Sequence, residues 1–253
     1  MDLQLKGKVA LVTGGSKGIG AGCSEVLAEE GCHVVMVYRS DAAYSEQFAK
    51  ELAERTGVKT MAIQGDLSDP DAIDGIYEKA VAALGPIDIL VNNAGGGVVS
   101  KPFDELTYAE WRRVQDNNLN SAFSMSRRFV HECRTHKRGG HIVNVLAKAA
   151  ITTNSTNNTS YIAAKGGLTT MTRGLANEVT KDGIIVNGIV PGYVQTHGHY
   201  HPGDADTLYK QQFLPTGEFA TPRDMGVIIA FLCSPLAKQI IGAVVDVSGG
   251  TML

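Results

Sequence analysis

The chain has 253 residues, of which 43% are hydrophobic and 19% are charged, and its formal net charge is −3. This length suits one large α/β domain or two small ones, and the composition allows a sizeable core and argues against disorder. The nearly balanced charge, without a basic run, argues against nucleic acid as a partner. Apolar runs such as residues 227–233 are too short to span a bilayer, so we expect no membrane partner.

Short β-rich runs alternate with helical patterns from one end of the chain to the other. Strands are predicted over residues 8–14, 33–38, 59–66, 87–95, 140–146, 183–192 and 242–250. The intervening segments predict helices over residues 18–31, 45–57, 69–85, 104–135, 159–179 and 221–234. Asp69 and Thr221 are the expected N-caps of two of them, because each is followed by proline at a position typical of N1.

This alternation predicts an α/β fold in which a doubly wound sheet of seven parallel strands carries helices on both faces. The chain contains no internal repeat or linker, so we predict a single domain over residues 1–253. In such folds ligands bind beyond the carboxyl ends of the strands, near the point where the strand order reverses.

A glycine-rich turn, "TGGSKGIG" at residues 13–20, joins the first strand to the first helix. Gly14, Gly18 and Gly20 permit a tight turn, let a diphosphate approach the backbone, and let the helix pack on the strand. The N-terminus of the helix then faces the phosphates. Such a pattern alone also occurs in ordinary strand-to-helix turns, but its place after the first apolar strand favours a dinucleotide site.

The end of the second strand reads Tyr38-Arg39-Ser40, with no carboxylate before Asp41. An NAD site usually places Asp or Glu here to bind the ribose 2′-hydroxyl. Arg39 can instead pair with a 2′-phosphate, and Lys17 in the glycine turn is expected close to the same group. The sequence therefore favours NADP(H) over NAD, unless both cations are merely solvated surface charges.

With these motifs the chain resembles the short-chain dehydrogenase/reductase family, in its single-domain branch. The resemblance covers essentially the whole sequence, and its marks stand in order: "TGGSKGIG" (13–20), "GDLSD" (65–69), "NNAG" (92–95), "NNLNSAF" (117–123), "YIAAK" (161–165), "PGYVQT" (191–196) and "VDVSGG" (245–250). It implies a Rossmann-like fold, an oxidoreductase activity on CH–OH groups, and assembly as a homotetramer or homodimer in which the helices at 104–135 and 159–180 meet a symmetry mate.

The resemblance also implies a set of cofactor-binding residues. Asp66 would accept a hydrogen bond from the adenine amino group, with Leu67 beside the ring. Residues 93–95 would line the adenine-ribose side, and residues of the 191–196 segment would hold the nicotinamide. The full predicted set is Gly14, Ser16, Lys17, Gly18, Ile19, Gly20, Tyr38, Arg39, Ser40, Asp66, Leu67, Asn93, Ala94, Gly95, Tyr161, Lys165, Pro191, Gly192, Val194 and Thr196.

The resemblance implies that Tyr161 and Lys165 are the catalytic pair, and their spacing places both on one face of a helix. A phenol with a pKa of about 10 is a poor base at neutral pH. We expect the ammonium of Lys165 to lower that pKa, so that Tyr161 exchanges a proton with a carbonyl or alcohol. The resemblance adds that Lys165 binds the nicotinamide ribose and that Asn118 supports a water-linked proton relay.

Members of the family usually carry a serine at the end of the fifth strand, where it polarises the substrate carbonyl. Here the two possible registers place Ala147 or Lys148 at that position, and neither has a hydroxyl. Three hypotheses follow. A donor comes from the polar loop at 152–160, with Thr152, Thr153, Asn154 and Ser155 nearest; Lys148 is the electrostatic partner of a substrate oxygen or carboxylate; or the redox site is dead or repurposed, as an isomerase, dehydratase or nucleotide sensor.

Three alternating histidines, His197, His199 and His201, share one face if the segment is extended. They lie in the region where the family has a mobile substrate lid, predicted here at about 197–220. Contact with a polar or anionic substrate and an ordinary loop surface are both more plausible than a metal site, so no metal is predicted.

The four cysteines lie far apart and form no C-x-x-C pair, which is typical of reduced thiols. The N-terminal sequence lacks a basic segment followed by an apolar one, so we expect no secretion signal and a cytoplasmic location. The predicted function is NADP(H)-linked interconversion of a ketone or aldehyde and an alcohol. The sequence leaves the identity of this small-molecule substrate open.

Overall fold

The structure, a computed structural model, describes residues 1–153, 155–196, 203–204, 207–208 and 211–252. Its strands are β1 (Val9–Thr13), β2 (His33–Tyr38), β3 (Thr60–Gln64), β4 (Ile89–Asn92), β5 (Gly140–Val145), β6 (Ile184–Pro191) and β7 (Val244–Val247). They form one sheet in the order β3-β2-β1-β4-β5-β6-β7, and each neighbouring pair is parallel. The order reverses between β1 and β4, so the predicted ligand crevice lies at the carboxyl ends of these central strands.

Helices cover both faces of this sheet, as predicted. Their bounds are α1 (Gly18–Glu29), α2 (Ala42–Thr56), α3 (Ala72–Leu84), α4 (Tyr108–Gln115), α5 (Ser121–Thr135), α6 (Ala149–Thr152), α7 (Thr159–Val179) and α8 (Pro222–Leu232). Alternate residues of the strands supply two cores. Ala10 and Val12 of β1 pack in the core that contains α1 and α8, whereas Val9 and Leu11 pack in the core that contains α3 and α5. Because both faces of every central strand are buried, the strands read as continuous apolar runs.

One of the two predicted helix caps is confirmed and the other is wrong. Thr221 caps α8 through a reciprocal capping box with Asp224, and Pro222 occupies the first turn. Asp69 does not cap α3: its carboxylate accepts the backbone N–H of Asp71 at 3.0 Å, and its carbonyl accepts that of Ala72 at 3.2 Å. These bonds close a separate turn, and α3 begins only at Ala72.

The stretch predicted as one amphipathic helix over residues 104–135 is divided in the structure. A π-helical turn, Asp116–Asn120, joins α4 to α5. Such turns are frequent at functional sites. Phe123 on α5 is 52% exposed, so the packing of this helix against a symmetry mate stays a prediction. In the described ranges no helix has the length and apolar composition needed to cross a bilayer.

Helices α1 and α8 approach each other through two glycines. A Cβ atom added to Gly22 would overlap the carbonyl oxygen of Pro222, and one added to Gly226 would overlap the carbonyl oxygen of Gly22. The contact therefore leaves no room for a side chain at either position.

We expect Gly22→Ala to lower the free energy of unfolding by about 1–3 kcal/mol, because the added methyl group forces the two helices apart. The matched control is Gly75→Ala in α3, where an added Cβ meets nothing within 4 Å. That substitution should stabilise the protein by roughly 0.5–1 kcal/mol through helix propensity. Urea unfolding of the three proteins measures both changes, and equal stabilities for the two variants would contradict the packing argument.

Candidate active site

The glycine turn has the backbone geometry that the sequence predicts. Gly14 and Gly18 have φ values of 63° and 51°, which lie in the region that favours glycine. A Cβ on Gly20 would overlap the carbonyl oxygen of Gly14. The turn leads directly into the N-terminus of α1, so its backbone N–H groups form a cradle suited to an anionic diphosphate.

Thr13, at the end of β1, ties this turn to the end of β4. Its hydroxyl accepts the backbone N–H of Asn93 at 3.0 Å and that of Ala94 at 2.9 Å, and donates to the carbonyl of Val91 at 3.2 Å. The side-chain amide of Asn93 donates in return to the carbonyl of Thr13 at 2.9 Å and to that of Gly14 at 3.2 Å. Thr13 is not among the predicted site residues, although Thr13 is the first residue of the glycine motif.

A second buried network connects the central strands to the helix that carries the catalytic pair. The amide of Asn92 donates to Asn144 at 2.8 Å and to Ser126 at 2.9 Å, and Asn144 donates to Thr172 of α7 at 2.8 Å. Asn144 is also not among the predicted site residues. The feature that could have indicated it is a single amide side chain inside the apolar strand "HIVNVL". Paired buried amides of this kind fix the strand ends relative to α7.

A cleft of about 310 Å³ opens at the carboxyl ends of β1, β2 and β4. Of the predicted cofactor residues, it brings together Gly14, Ser16, Lys17, Tyr38, Arg39, Ser40, Asp66, Leu67, Ala94 and Gly95. Lining residues that the sequence analysis did not name are Val37, Gly65, Ser68, Gly96, Gly97, Asn117 and Ser121. Ile19 lies instead beneath the turn, against the core of α1. The shape and the glycine lining fit a dinucleotide.

Two cations border this cleft, as predicted, but they differ in their surroundings. Lys17 forms an ion pair with Asp41 at 2.5 Å, and its ammonium lies 4.9 Å from the ring centroid of Tyr44. Asp41 reaches this position because its backbone is left-handed at the start of α2, with a φ of 67°. Arg39 is exposed and has no carboxylate within ion-pair distance among the described residues. Arg39 therefore offers the less compensated charge.

Asp66 and Leu67 lie together at the end of β3, where the adenine contact is predicted. The Asp66 carboxylate accepts the hydroxyl of Ser68 at 2.7 Å and its backbone N–H at 3.0 Å. These two bonds, with a smaller contribution from Arg39, lower the pKa of Asp66. The side chain is thus held as a carboxylate, which is an acceptor for an amino group.

The 191–196 segment lies beside the glycine turn and contributes no residue to the lining of the cleft. A Cβ added to Gly18 would lie 3.2 Å from a methyl carbon of Thr196, and one added to Gly192 would lie 2.5 Å from the carbonyl oxygen of Ser248. Val194 is buried and forms a bridge with Ala220, the residue that ends the predicted lid. Residues 197–202, with the three histidines, lie outside the described residues.

The predicted catalytic pair meets Asn118 at the end of β5. The ammonium of Lys165 donates to the carbonyl of Val145 at 2.9 Å. A Cβ on Gly95 would lie 2.7 Å from the side-chain oxygen of Asn118 and 3.4 Å from the Lys165 ammonium. Gly95 thus lies close to both the Asn118 side chain and the Lys165 ammonium. Tyr161 packs against a small apolar cluster of Val99, Val114 and Ala164.

Asn118 holds the backbone on the cofactor side of this site. Its amide donates to the carbonyls of Gly96 at 2.8 Å and Val114 at 3.0 Å, and its oxygen accepts the N–H of Gly96 at 2.9 Å. The side chain therefore fixes Gly96 from both directions. The proposed participation of its backbone in a water-linked relay stays a prediction.

Burial dominates the protonation of the catalytic pair. Lys165 is 4% exposed, and desolvation lowers its pKa to about 8. Burial also raises the pKa of the Tyr161 phenol above its ordinary value. In the protein without cofactor, Lys165 therefore does not lower the pKa of Tyr161, contrary to the prediction. The positive charge of an oxidised nicotinamide would have to lower that pKa.

Ala147 and Lys148 follow the end of β5, and neither carries a hydroxyl. Ala147 is buried, and the half-buried Lys148 holds its ammonium 4.4 Å from the ring centroid of Tyr193. In the polar loop, Thr152 donates its hydroxyl to the carbonyl of Lys148 at 3.3 Å, and Ser155 accepts from Asn158 at 2.7 Å. Thr153 is exposed, and Asn154 lies outside the described residues.

We predict that Lys165→Met increases stability near neutral pH. The folded-state pKa of about 8 lies below the ordinary 10.5, so burial of the charge opposes folding fully below about pH 8. This penalty is about 3 kcal/mol, and the lost bond to Val145 offsets about 1 kcal/mol, which leaves a gain of about 2 kcal/mol.

The wild type should gain stability as pH rises from about 8 towards 10.5, so the difference between the two proteins should shrink there. Chemical denaturation across this pH range measures the effect. Lys50→Met, at an exposed position of α2, is the control and should show no such trend. A variant that is less stable than wild type near neutral pH would contradict the prediction.

Comparison with known proteins agrees with this geometry. The sequence model of the family described as "Enoyl-(Acyl carrier protein) reductase" matches residues 14–252. The 3-oxoacyl-[acyl-carrier-protein] reductase of Aquifex aeolicus is 33% identical over 251 residues, which cover 99% of each chain. Among solved structures, L-sorbose reductase from Gluconobacter frateurii, complexed with NADPH and L-sorbose, matches with a TM-score of 0.91, 30% identity and coverage of 100% of this chain and 99% of that one.

A short-chain dehydrogenase from Burkholderia cenocepacia, in complex with NADP, matches with a TM-score of 0.90 and 29% identity, over 99% of this chain and 100% of that one. These similarities extend over nearly the whole chain. The chain therefore belongs to the short-chain dehydrogenase/reductase family.

Proposed function

We propose that this protein is an NADP(H)-dependent oxidoreductase that interconverts a ketone or aldehyde and the corresponding alcohol. One observation carries the proposal. Tyr161 lies on α7 one turn from Lys165, whose buried ammonium is at the carboxyl end of β5, near Asn118 and Gly95 of the cleft. Proton transfer and a dinucleotide site thereby share one edge of the sheet.

In this proposal each side chain has a separate role. The bound dinucleotide supplies or accepts the hydride. Tyr161 donates a proton to the substrate oxygen during reduction and accepts one during oxidation. Lys165 provides a fixed positive charge one helical turn away, and the Val145 carbonyl orients it. Asn118 fixes the Gly96 backbone, which shapes the space between the cofactor and the substrate.

Arg39 supports NADP(H) as the cofactor. It is an exposed guanidinium at the end of β2, lines the cleft, and stands where an NAD site has a carboxylate. Asp41 is close but pairs with Lys17. Two of the similar solved structures contain NADPH or NADP.

The alternative is a family member that binds the dinucleotide without redox turnover, and the absence of a hydroxyl at Ala147 and Lys148 favours it. Loss of one preorganised donor costs on the order of 10²–10³ in rate, so turnover is slowed but not abolished. Titration with NADPH and a panel of carbonyl compounds separates the two. Saturable NADPH binding without loss of its absorbance for any compound would support the alternative.

We expect Tyr161→Phe to reduce kcat by roughly 10²–10⁴-fold, because the proton donor is removed while the ring and its packing remain. NADPH binding, measured by fluorescence titration, should be unchanged. Tyr108→Phe, at an exposed position of α4, is the matched control and should retain full turnover. Turnover that survives in Tyr161→Phe would exclude the proposed role of the phenol.

Arg39→Ala should raise the Kd for NADPH about tenfold or more, because a charge-assisted hydrogen bond to the 2′-phosphate is lost. The Kd for NADH should not change. Lys17→Met should have a smaller effect, since Asp41 already compensates the charge of Lys17. Arg55→Ala, which removes an exposed arginine of α2, is the control. Equal effects of Arg39→Ala on both cofactors would refute the assignment.

A further inference from the structure

Lys148 stands at the carboxyl edge of the sheet, three residues beyond the carbonyl that holds Lys165. Residue Val145 pairs with Ile189 of β6, and the N–H of Leu146 donates to the Ile189 carbonyl at 2.9 Å. The chain segments that leave β5 and β6 therefore run side by side. This brings the ammonium of Lys148 to within 4.4 Å of the ring centroid of Tyr193.

The ring of Tyr193 is itself held in place. Its centroid lies 6.0 Å from that of Phe219 in an edge-to-face contact, and its backbone carbonyl accepts the N–H of Ala220 at 3.1 Å. Phe219 belongs to the end of the predicted lid. A cation on an aromatic face is attracted to the ring but still has N–H groups to donate elsewhere.

The charge of Lys148 has no acidic counterpart among the residues that the structure describes. In the ranges that the structure describes, no carboxylate lies within ion-pair distance of it, in contrast to Lys17 with Asp41 and Lys101 with Glu110. A half-buried ammonium without a counter-ion favours an anionic ligand, because a charge-assisted hydrogen bond then replaces the lost hydration.

The hydroxyls of the neighbouring loop support the backbone of Lys148 instead of competing with its ammonium. Thr152 directs its hydroxyl to the Lys148 carbonyl at 3.3 Å, and its backbone N–H donates to the same oxygen at 3.0 Å. Of residues 146–148, which follow this strand end, only Lys148 has a polar side chain.

The ammonium groups of Lys148 and Lys165 have different neighbours. Lys165 contacts the Val145 carbonyl and lies near Gly95, at the reaction centre. Lys148 lies on Tyr193, at the lid side. An anion bound by Lys148 is accordingly a second group of the substrate, separate from the reacting carbonyl.

We propose that Lys148 is a specificity-determining residue that binds a carboxylate of the substrate. The substrates are then keto acids and the corresponding hydroxy acids, in preference to neutral ketones. This inference rests on the proposed function, because it assigns a substrate class to the same site.

The test compares pyruvate, acetoacetate and levulinate with their methyl esters, which keep the carbon skeleton and remove the charge. The three acids place the carboxylate at increasing distance from the ketone. Turnover is measured with the wild type and NADPH. Binding is measured by calorimetry on the Tyr161→Phe variant with NADPH bound, so that a lack of turnover does not hide the preference.

At least one acid should bind about tenfold or more tightly than its ester. Adding Lys148→Met should remove this preference, chiefly through KM in the turnover assay, and leave the ester unaffected. Lys148→Arg should keep the preference and shows that the position tolerates substitution. Lys50→Met controls for the change in net charge, and thermal unfolding of each variant confirms folding.

Any of three results would overturn the inference. The first is that every acid binds no better than its ester. The second is that Lys148→Met lowers kcat equally for acid and ester without a change in KM, which would assign Lys148 to the reacting carbonyl. The third is that Lys148→Met weakens NADPH binding, which would assign Lys148 to a cofactor phosphate. Turnover of esters without an acid preference refutes only this inference. An acid preference in binding without turnover of any compound refutes only the proposed function.

Discussion

The active site depends on one hydrogen bond, from the ammonium of Lys165 to the carbonyl of Val145. Lys165 is the one buried lysine, arginine or carboxylate side chain in the part of the chain that the structure describes. Burial of a charge opposes folding, and a single neutral acceptor compensates only part of that penalty. The remainder of the fold must therefore hold the ammonium in its position near Asn118 and Gly95. It does so by fixing the end of β5 against α7.

Buried side-chain amides provide that fixation. Asn92 and Asn144 lie opposite each other in the pairing of β4 with β5, and the bond from Asn144 to Thr172 extends the connection to the helix that carries Tyr161 and Lys165. Thr13 and Asn93 connect the same strand ends to the glycine turn. Since all strands are parallel, their carboxyl ends meet at one edge, and these bonds define the distances between cofactor and catalytic groups.

The sequence predicted the sheet, most of its helices and ten of the residues that line the cleft, because apolar strands and glycines are local signals. Three features lay beyond it for physical reasons. The pairing of Lys17 with Asp41 requires the left-handed backbone at Asp41, which no neighbouring residue indicates. The roles of Thr13 and Asn144 depend on partners distant in the chain. The pKa of Tyr161 rises with burial, and burial of a partly apolar helix face is a tertiary property. Asp69 does not cap α3 because its carboxylate accepts the N–H of Asp71 in a turn that precedes the helix.

Near the end of β5, where the family usually carries a serine, this chain has Lys148. In the proposal, two lysines therefore supply positive charge to the candidate site. A hydroxyl at this position would add a neutral donor to the reacting oxygen and would leave the substrate otherwise unselected by charge. An ammonium on Tyr193 instead adds a positive charge on the lid side, while Lys165 remains responsible for the reaction centre. Under the proposal, a carboxylate-bearing substrate would be bound by Lys148, whereas a neutral one would leave its ammonium without an anionic partner in a half-buried place. The lack of a hydroxyl at Ala147 and Lys148 and the charge of Lys148 would then act together, and the charge of the substrate would decide whether the second offsets the first.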